Sequence, residues 1–409
     1  MRRFFEFFAG GGMARAGLGE GWHCAFANDF DPRKAAAYRA NWGGEALVCA
    51  DVSSLTPDEL PGRTDLAWAS FPCQDLSLAG GNRGLGAAGA NTPTRSGTFW
   101  PFWSLVEALR GAGRGPRLLV LENVYGAITS KGGADFTAIA TTLADAGYRF
   151  GAMGIDAKGF VPQSRPRLFI LAVAEGVALP LGLVADEVPT DWVPDQLVAA
   201  YDRLPPTVRA SALWWNLLPA NAKRPTLTDL IETEGTAWHA PSMTDRLLGL
   251  MTPLHHAKIA AAQATGRREV GTVYRRTRAD GQGGKVQRAE VRFDGLAGCL
   301  RTPSGGSSRQ TLMVVEGSSI RTRLLTAREA ARLMGLPDSY ILPARYNDAY
   351  HLAGDGVVVP VVAHLARYLI EPILDFDDLS CTGRAAACPP QTHIEHATNM
   401  HPTHPFPAA

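Results

Sequence analysis

From residue 3 to about 175 the chain alternates short apolar runs with helix-compatible stretches: RFFEFF, DPRKAAAYRANW, EALVCADV, DLAWASFP, FWSLVEALRGAG, RLLVLENV, FTAIATTLADAGY and RPRLFILAV. That alternation predicts an α/β fold, a doubly wound and mostly parallel sheet covered by helices. Runs such as LLVLE lack polar alternation, as strands buried on both faces require. The rhythm then stops. Over 176–320 prolines, glycines and tryptophans are scattered without sustained period, which predicts a second, irregular domain with Trp214 and Trp215 in its core. Helical spacing returns in LLTAREAARLMGLPD and VVVPVVAHLARYLIEPIL, so 321–376 is expected to rejoin the domain formed by 1–175. From Asp377 onward the chain is polar and proline-containing, and 377–409 reads as a disordered tail.

Composition narrows the class. A chain of 409 residues, 46% of them hydrophobic, can bury the core of two domains. No apolar run approaches the roughly 20 residues of a membrane span. The opening MRRFFEFFAGGG is broken by Glu6 and by glycines, so it does not read as a secretory signal, and a cytoplasmic protein without membrane contact is expected. Six cysteines, at 24, 49, 73, 299, 381 and 388, form no CxxC pair, which argues for reduced thiols and against a zinc site. His393, His396, His401 and His404 fall in the tail, and no metal is expected there. With a net charge of only +1, a polyanion would have to be held by a local basic surface.

Candidate chemistry collects at the ends of the predicted strands. FFEFFAGGGMARAGLG runs a strand into glycines and then a helix, where a nucleotide-like cofactor meets such a sheet. The dinucleotide pattern GxGxxG fails at Arg15, so a phosphate cradle is disfavoured. Asp29 after CAFAN and Asp51 after ALVCA are placed to meet ribose hydroxyls and an adenine amino group. A free cysteine is usually a small buried hydrophobe. Cys73, however, sits at a strand end beside the expected cofactor, next to a proline that stiffens the turn. Glu122 in VLENV and the arginines Arg165 and Arg167 in QSRPR also lie at strand ends, so the four could converge on one ligand.

FFAGGG, FPCQDLS, ENV, QSRPR, RLLTAREAARLMGLPD and GDGVVVPV, in this order, resemble the motifs of the DNA (cytosine-5) methyltransferases of bacterial restriction-modification. The likeness covers about 1–175 and 300–370. It implies a Rossmann-like class I methyltransferase fold, S-adenosylmethionine as methyl donor with S-adenosylhomocysteine as product, and duplex DNA as substrate. It further implies a target-recognition role for 176–320, a cognate endonuclease in the same cell, and a monomer. On this likeness Cys73 is the nucleophile, Glu122 the acid at cytosine N3, and Arg165 and Arg167 position the base and polarise its carbonyl. The cofactor would meet Phe8, Gly10, Gly12, Asp29, Phe30, Asp51, Val52, Pro72, Phe99, Asp355 and Gly356. DNA would meet Gln74, Ser77, Gln163, Arg275, Arg276, Arg301 and Arg309. The chain departs from the family pattern at Glu6, Met13 and Asp355, where Asp, Gly and Asn are usual.

The chemistry calls for such groups. Cytosine C5 becomes nucleophilic only after attack at C6, which suits a thiolate, and the charge pushed onto N3 and O2 needs a protonated acid and a guanidinium. No side chain reaches C6 inside a stacked duplex, so the base must flip out. The run 267–292 carries eight Lys or Arg against three Asp or Glu, and reads as part of a DNA cleft. An RNA cytosine methyltransferase, a nicotinamide oxidoreductase and a DNA-binding homologue without activity are the competing readings. The long irregular segment, the missing third glycine and the presence of Cys73, Glu122 and both arginines count against them in turn.

Overall fold

The structure is a computed structural model and describes residues 1–72, 85, 95–220, 223–279, 284–301 and 309–381. Seven strands form one sheet: β1 (Arg2–Phe7), β2 (Trp22–Asp29), β3 (Leu47–Cys49), β4 (Leu66–Ala69), β5 (Leu118–Val124), β6 (Tyr148–Asp156) and β7 (Pro166–Ala174). Their spatial order is β3-β2-β1-β4-β5-β7-β6. The first five run parallel, and β7 inserts antiparallel between β5 and β6.

Period-two alternation explains the layers. Phe4, Leu66, Trp68, Leu118, Val120, Phe169 and Leu171 point to one face, and Phe5, Phe7, Ala67, Leu119, Leu121, Leu168 and Ile170 to the other. Helices α1 (Met13–Leu18) and α2 (Pro32–Trp42) cover the first face, with the helical stretch Tyr346–Cys381 beside them. That stretch is apolar and long enough by composition to cross a membrane, yet Leu352, Leu369, Ile370, Ile373 and Leu374 are buried in this core. Helices α3 (Phe99–Gly111), α4 (Ala134–Asp145) and α5 (Asp195–Asp202) cover the second face.

A second, antiparallel sheet has the order β11-β10-β8-β9, from β8 (Arg268–Ala279), β9 (Lys285–Arg292), β10 (Thr311–Glu316) and β11 (Ser319–Leu324). The helices Pro241–Gly249 and Pro253–Ala264 pack on it around Met251, Ile259, Val273, Val291 and Met313.

Packing moves both edges expected for the irregular domain. After residue 176 the chain stays on the large sheet: Leu213 N donates to Phe150 O at 2.7 Å, and Leu197, Ala200 and Tyr201 of α5 fill its second face. Trp215 is buried in the core of the first face, its Nε1 donating to Gly151 O and Leu171 O, and Trp214 packs on Tyr201 of the second. Both tryptophans therefore belong to the large sheet rather than to a small domain. Position 320 falls inside β11. Residues 377–381, expected in the tail, are instead helical: the helix Glu371–Cys381 continues through Asp377, whose carboxylate accepts from Arg117 and from Ala178 N, and 382–409 lie outside the described residues.

Candidate active site

The site is built at the carboxyl ends of β1, β2, β4 and β5, where a parallel sheet leaves a crevice. After β1 the backbone turns through positive φ at Phe8 (56°), Gly10 (57°) and Gly12 (76°). At Gly10 a side chain would meet no protein atom within 4 Å, so the turn leaves open space there. Gly11 is locked from behind, its carbonyl accepting from Tyr340 Oη at 2.7 Å and Trp42 Nε1 at 3.0 Å. Asp29 fixes the front: its carboxylate accepts from Gly10 N and Asp31 N, each at 2.8 Å. Burial pushes this carboxyl above its ordinary value, against the pull of Lys34 and the two N–H groups.

Glu6 fills the start of α1 from within. Its Oε1 accepts from Arg15 N at 3.3 Å, while Oε2 is buried without a hydrogen-bond partner. Burial raises this carboxyl to about 8, outweighing Arg15. The first turn of α1 is thus taken by an internal acid and does not offer a phosphate cradle. What remains is suited to a nucleoside: open backbone at Gly10, the acid Asp29, and beside it Phe30, 65% exposed and apolar. Asp51 lies at the end of the next strand, with Ser53 N and Oγ donating to it, and Val52 is buried beneath.

The other residues expected at the cofactor take different places. Phe99 is fully buried, stacked on Trp103 and in contact with Phe71 and Phe102, so it backs Phe8 through Phe102 and does not reach the crevice. Asp355 pairs with Lys34 at 2.7 Å, and Gly356 gives its carbonyl to Arg165. Pro72 is half-buried, following Phe71, whose carbonyl accepts from Asn123 Nδ2 at 3.1 Å. That bond ties the segment leaving β4 to the end of β5. Asn123 is a member the sequence analysis left unused, although it is the middle residue of the ENV motif. Cys73, Gln74 and Ser77 lie outside the described residues.

Glu122, buried on the first face of β5, receives Arg167 Nε at 3.2 Å. Arg165, expected to face the base alongside it, is put to a different use. Its guanidinium is 2% exposed and donates to Leu300 O (3.0 Å), Gly354 O (2.8 Å), Gly356 O (2.8 Å) and Cys299 Sγ (3.3 Å). Burial and the neighbouring Arg167 push its pKa down. Arg165 therefore clasps two other segments of chain, 299–300 and 354–356, and Arg167 is the guanidinium beside the acid.

Gln163, expected to touch DNA, is fully buried. It donates to Leu333 O at 2.8 Å and accepts from Leu300 N at 3.1 Å, so its amide is committed to joining chain segments. The basic run on β8 and β9 is partly neutralised: Arg276 and Arg278 pair with Glu290, Arg268 with Glu316, and Arg292 with Asp294. Arg275 and Arg301 are exposed, and Arg309 donates to Asn347 at 2.6 Å.

A family model described as C-5 cytosine-specific DNA methylase matches residues 2–371. The Type II methyltransferase M.NlaX of Neisseria lactamica is 24% identical over 90% of this chain and 96% of its own. M.HhaI of Haemophilus parahaemolyticus is 25% identical over 91% and 95%, and M.HpaII of Haemophilus parainfluenzae 27% over 90% and 89%. Among solved structures, the S. pombe Dnmt2 methyltransferase superposes with a TM-score of 0.57 at 17% identity, covering 91% of this chain and 99% of that one.

Proposed function

This chain belongs to the C-5 cytosine-specific DNA methylase family, and on that premise we propose that it methylates C5 of a cytosine flipped out of duplex DNA, through a covalent bond from Cys73 to C6. The observation that carries the reading is the buried Glu122 beside Arg167 at the end of β5, tied through Asn123 to the segment that leads to Cys73.

The residues act in sequence. The Cys73 thiolate adds to C6, and the electron pair moves through the ring to N3. Glu122 relays a proton to N3, while Arg167 balances charge at the base. Each such contact contributes a few kcal/mol to the barrier's lowering. Bound S-adenosylmethionine would supply C5 of the enamine with the methyl group of its sulfonium, the pair of the broken C–S bond remaining on the S-adenosylhomocysteine sulfur. A base then removes the C5 proton, and the Cys73 sulfur leaves with its electron pair as the C5–C6 double bond re-forms. Gly10, Asp29, Phe30 and Asp51 hold the nucleoside of the donor in this reading.

The DNA face is assigned to the four-stranded sheet and its helices, with Arg275 and Arg301 among its phosphate contacts. A monomer working beside a cognate endonuclease, in the cytoplasm, completes the reading. The test is to incubate the protein with S-adenosylmethionine and mixed-sequence duplex DNA, digest to nucleosides and weigh them, with Cys73→Ser alongside. 5-Methylcytosine from the wild type alone supports it. Product on tRNA only would move the substrate to RNA, and none on either would leave a binding protein.

A further inference from the structure

The group around Glu122 has a further member, contributed by the segment between the strands of the second sheet. Cys299 Sγ lies 3.3 Å from Arg165 Nη1 and 3.8 Å from Arg167 Nη2, while Arg167 Nε holds Glu122. Thiol, guanidinium and carboxyl thus form a chain from residue 299 to the end of β5. The backbone under the thiol is pinned on both sides. Ala297 N donates to Pro162 O, Ser164 N to Ala297 O, and Leu300 N to Gln163 Oε1. The backbone at Cys299 cannot shift without breaking these bonds.

We propose that Cys299 is a positioning residue for the methyl transfer: by accepting from Arg165 and Arg167 it fixes the Arg167 side chain in the orientation that faces Glu122 and the flipped base. The inference rests on the reading of this crevice as a cytosine-5 methyltransferase site. A thiol is a weak acceptor and a thiolate a strong one. The groups that act on the sulfur are Arg165, just before β7, Arg167 on β7, and Tyr350 from the helix Tyr346–Asp355, while Glu122 from β5 and Asp355 act in turn on Arg165. Burial alone would raise the thiol, but the two guanidinium groups together hold it below its ordinary value. In the protonated form the S–H turns to Leu300 O at 3.5 Å, and the grip on Arg167 loosens.

The test compares wild type, Cys299→Ser and Cys299→Ala, all checked by thermal melting. A small misplacement of a catalytic group costs up to about 100-fold, so kcat on duplex DNA should fall about tenfold or more in the alanine variant, with KM for DNA nearly unchanged and partial rescue by serine. The acid limb of the kcat profile should lose one ionisation in both variants. An unchanged kcat and pH profile, or a rise in KM alone, would overturn the proposal. A second readout needs no turnover. Iodoacetamide labelling of Cys299, followed by peptide mass against pH, should inflect below the usual thiol range and shift upward in Arg167→Gln. An inflection at or above the usual range overturns the proposal even if the wild type methylates nothing, a result that would separately refute the proposed function.

Discussion

Arg167 Nε stands 3.2 Å from Glu122 Oε1 across the antiparallel seam between β5 and β7. The register sets Val124 opposite Arg167 and Glu122 opposite Phe169, so the two side chains are diagonal neighbours on one face. The reversed strand β7 is what brings a guanidinium of the QSRPR segment to the carboxyl end of a parallel strand.

Glu122→Gln keeps the shape and removes the transferable proton. Single-turnover rates on duplex DNA should drop on the order of 100- to 1,000-fold, with cofactor affinity unchanged. A rate within a few-fold of wild type would remove Glu122 from the acid role.

Arg165→Ala should fail in stability before it fails in chemistry. Leu300 O, Gly354 O and Gly356 O lose their donor, and a large side chain leaves the core. The expected cost is about 3–5 kcal/mol, read from urea unfolding. A variant as stable as wild type would show that the clasp contributes little.

Glu6 makes stability depend on pH. Its carboxyl is raised from 4.5 to about 8 by burial, so the folded state holds the proton more tightly than the unfolded chain. The associated stability is fully present below the unfolded value and is lost as pH rises through about 8, with a ceiling on the order of 5 kcal/mol. Melting temperatures between pH 6 and pH 9, scanned in roughly half-unit steps, should fall more steeply for wild type than for Glu6→Gln. Parallel curves would mean that another group controls the slope.

Asp29→Ala should weaken S-adenosylmethionine binding about 10- to 100-fold by calorimetry, since Gly10 N and Asp31 N lose the acceptor that shapes the loop. An affinity within twofold of wild type would place the cofactor elsewhere.

The strands were legible because LAWA, LLVLE and LFILAV are apolar without interruption, and the glycine turn because GGG follows such a run. The reversal of β7 was not, since a strand buried on both faces reads the same in either direction. Trp214 and Trp215 were misplaced for a related reason: an aromatic pair signals a core without saying which sheet it covers. Gln163 and Arg165 looked like ligand contacts because QSRPR resembles a motif of the family, although strand-edge pairing is the ordinary use of such side chains. Their true partners, Leu300 and Leu333 for one and Leu300, Gly354 and Gly356 for the other, are distant backbone groups that no local pattern announces. Cys299 escaped notice because its neighbours come from positions more than 130 residues away.

The attachment of the second sheet to the first has a consequence for how such a protein can change. The main-chain atoms of Ala297 and Leu300 are held by the backbone of Pro162 and Ser164 and by the side chains of Gln163 and Arg165. Side chains add to this joint: Val270, Ala297, Leu300, Leu312 and Val314 are buried in the core of the large sheet, and Arg323 of β11 pairs with Glu329. An insert that kept this backbone path and these apolar side chains would leave Glu122 and Arg167 undisturbed, so the rest of the second sheet is free to vary while the pair stays fixed.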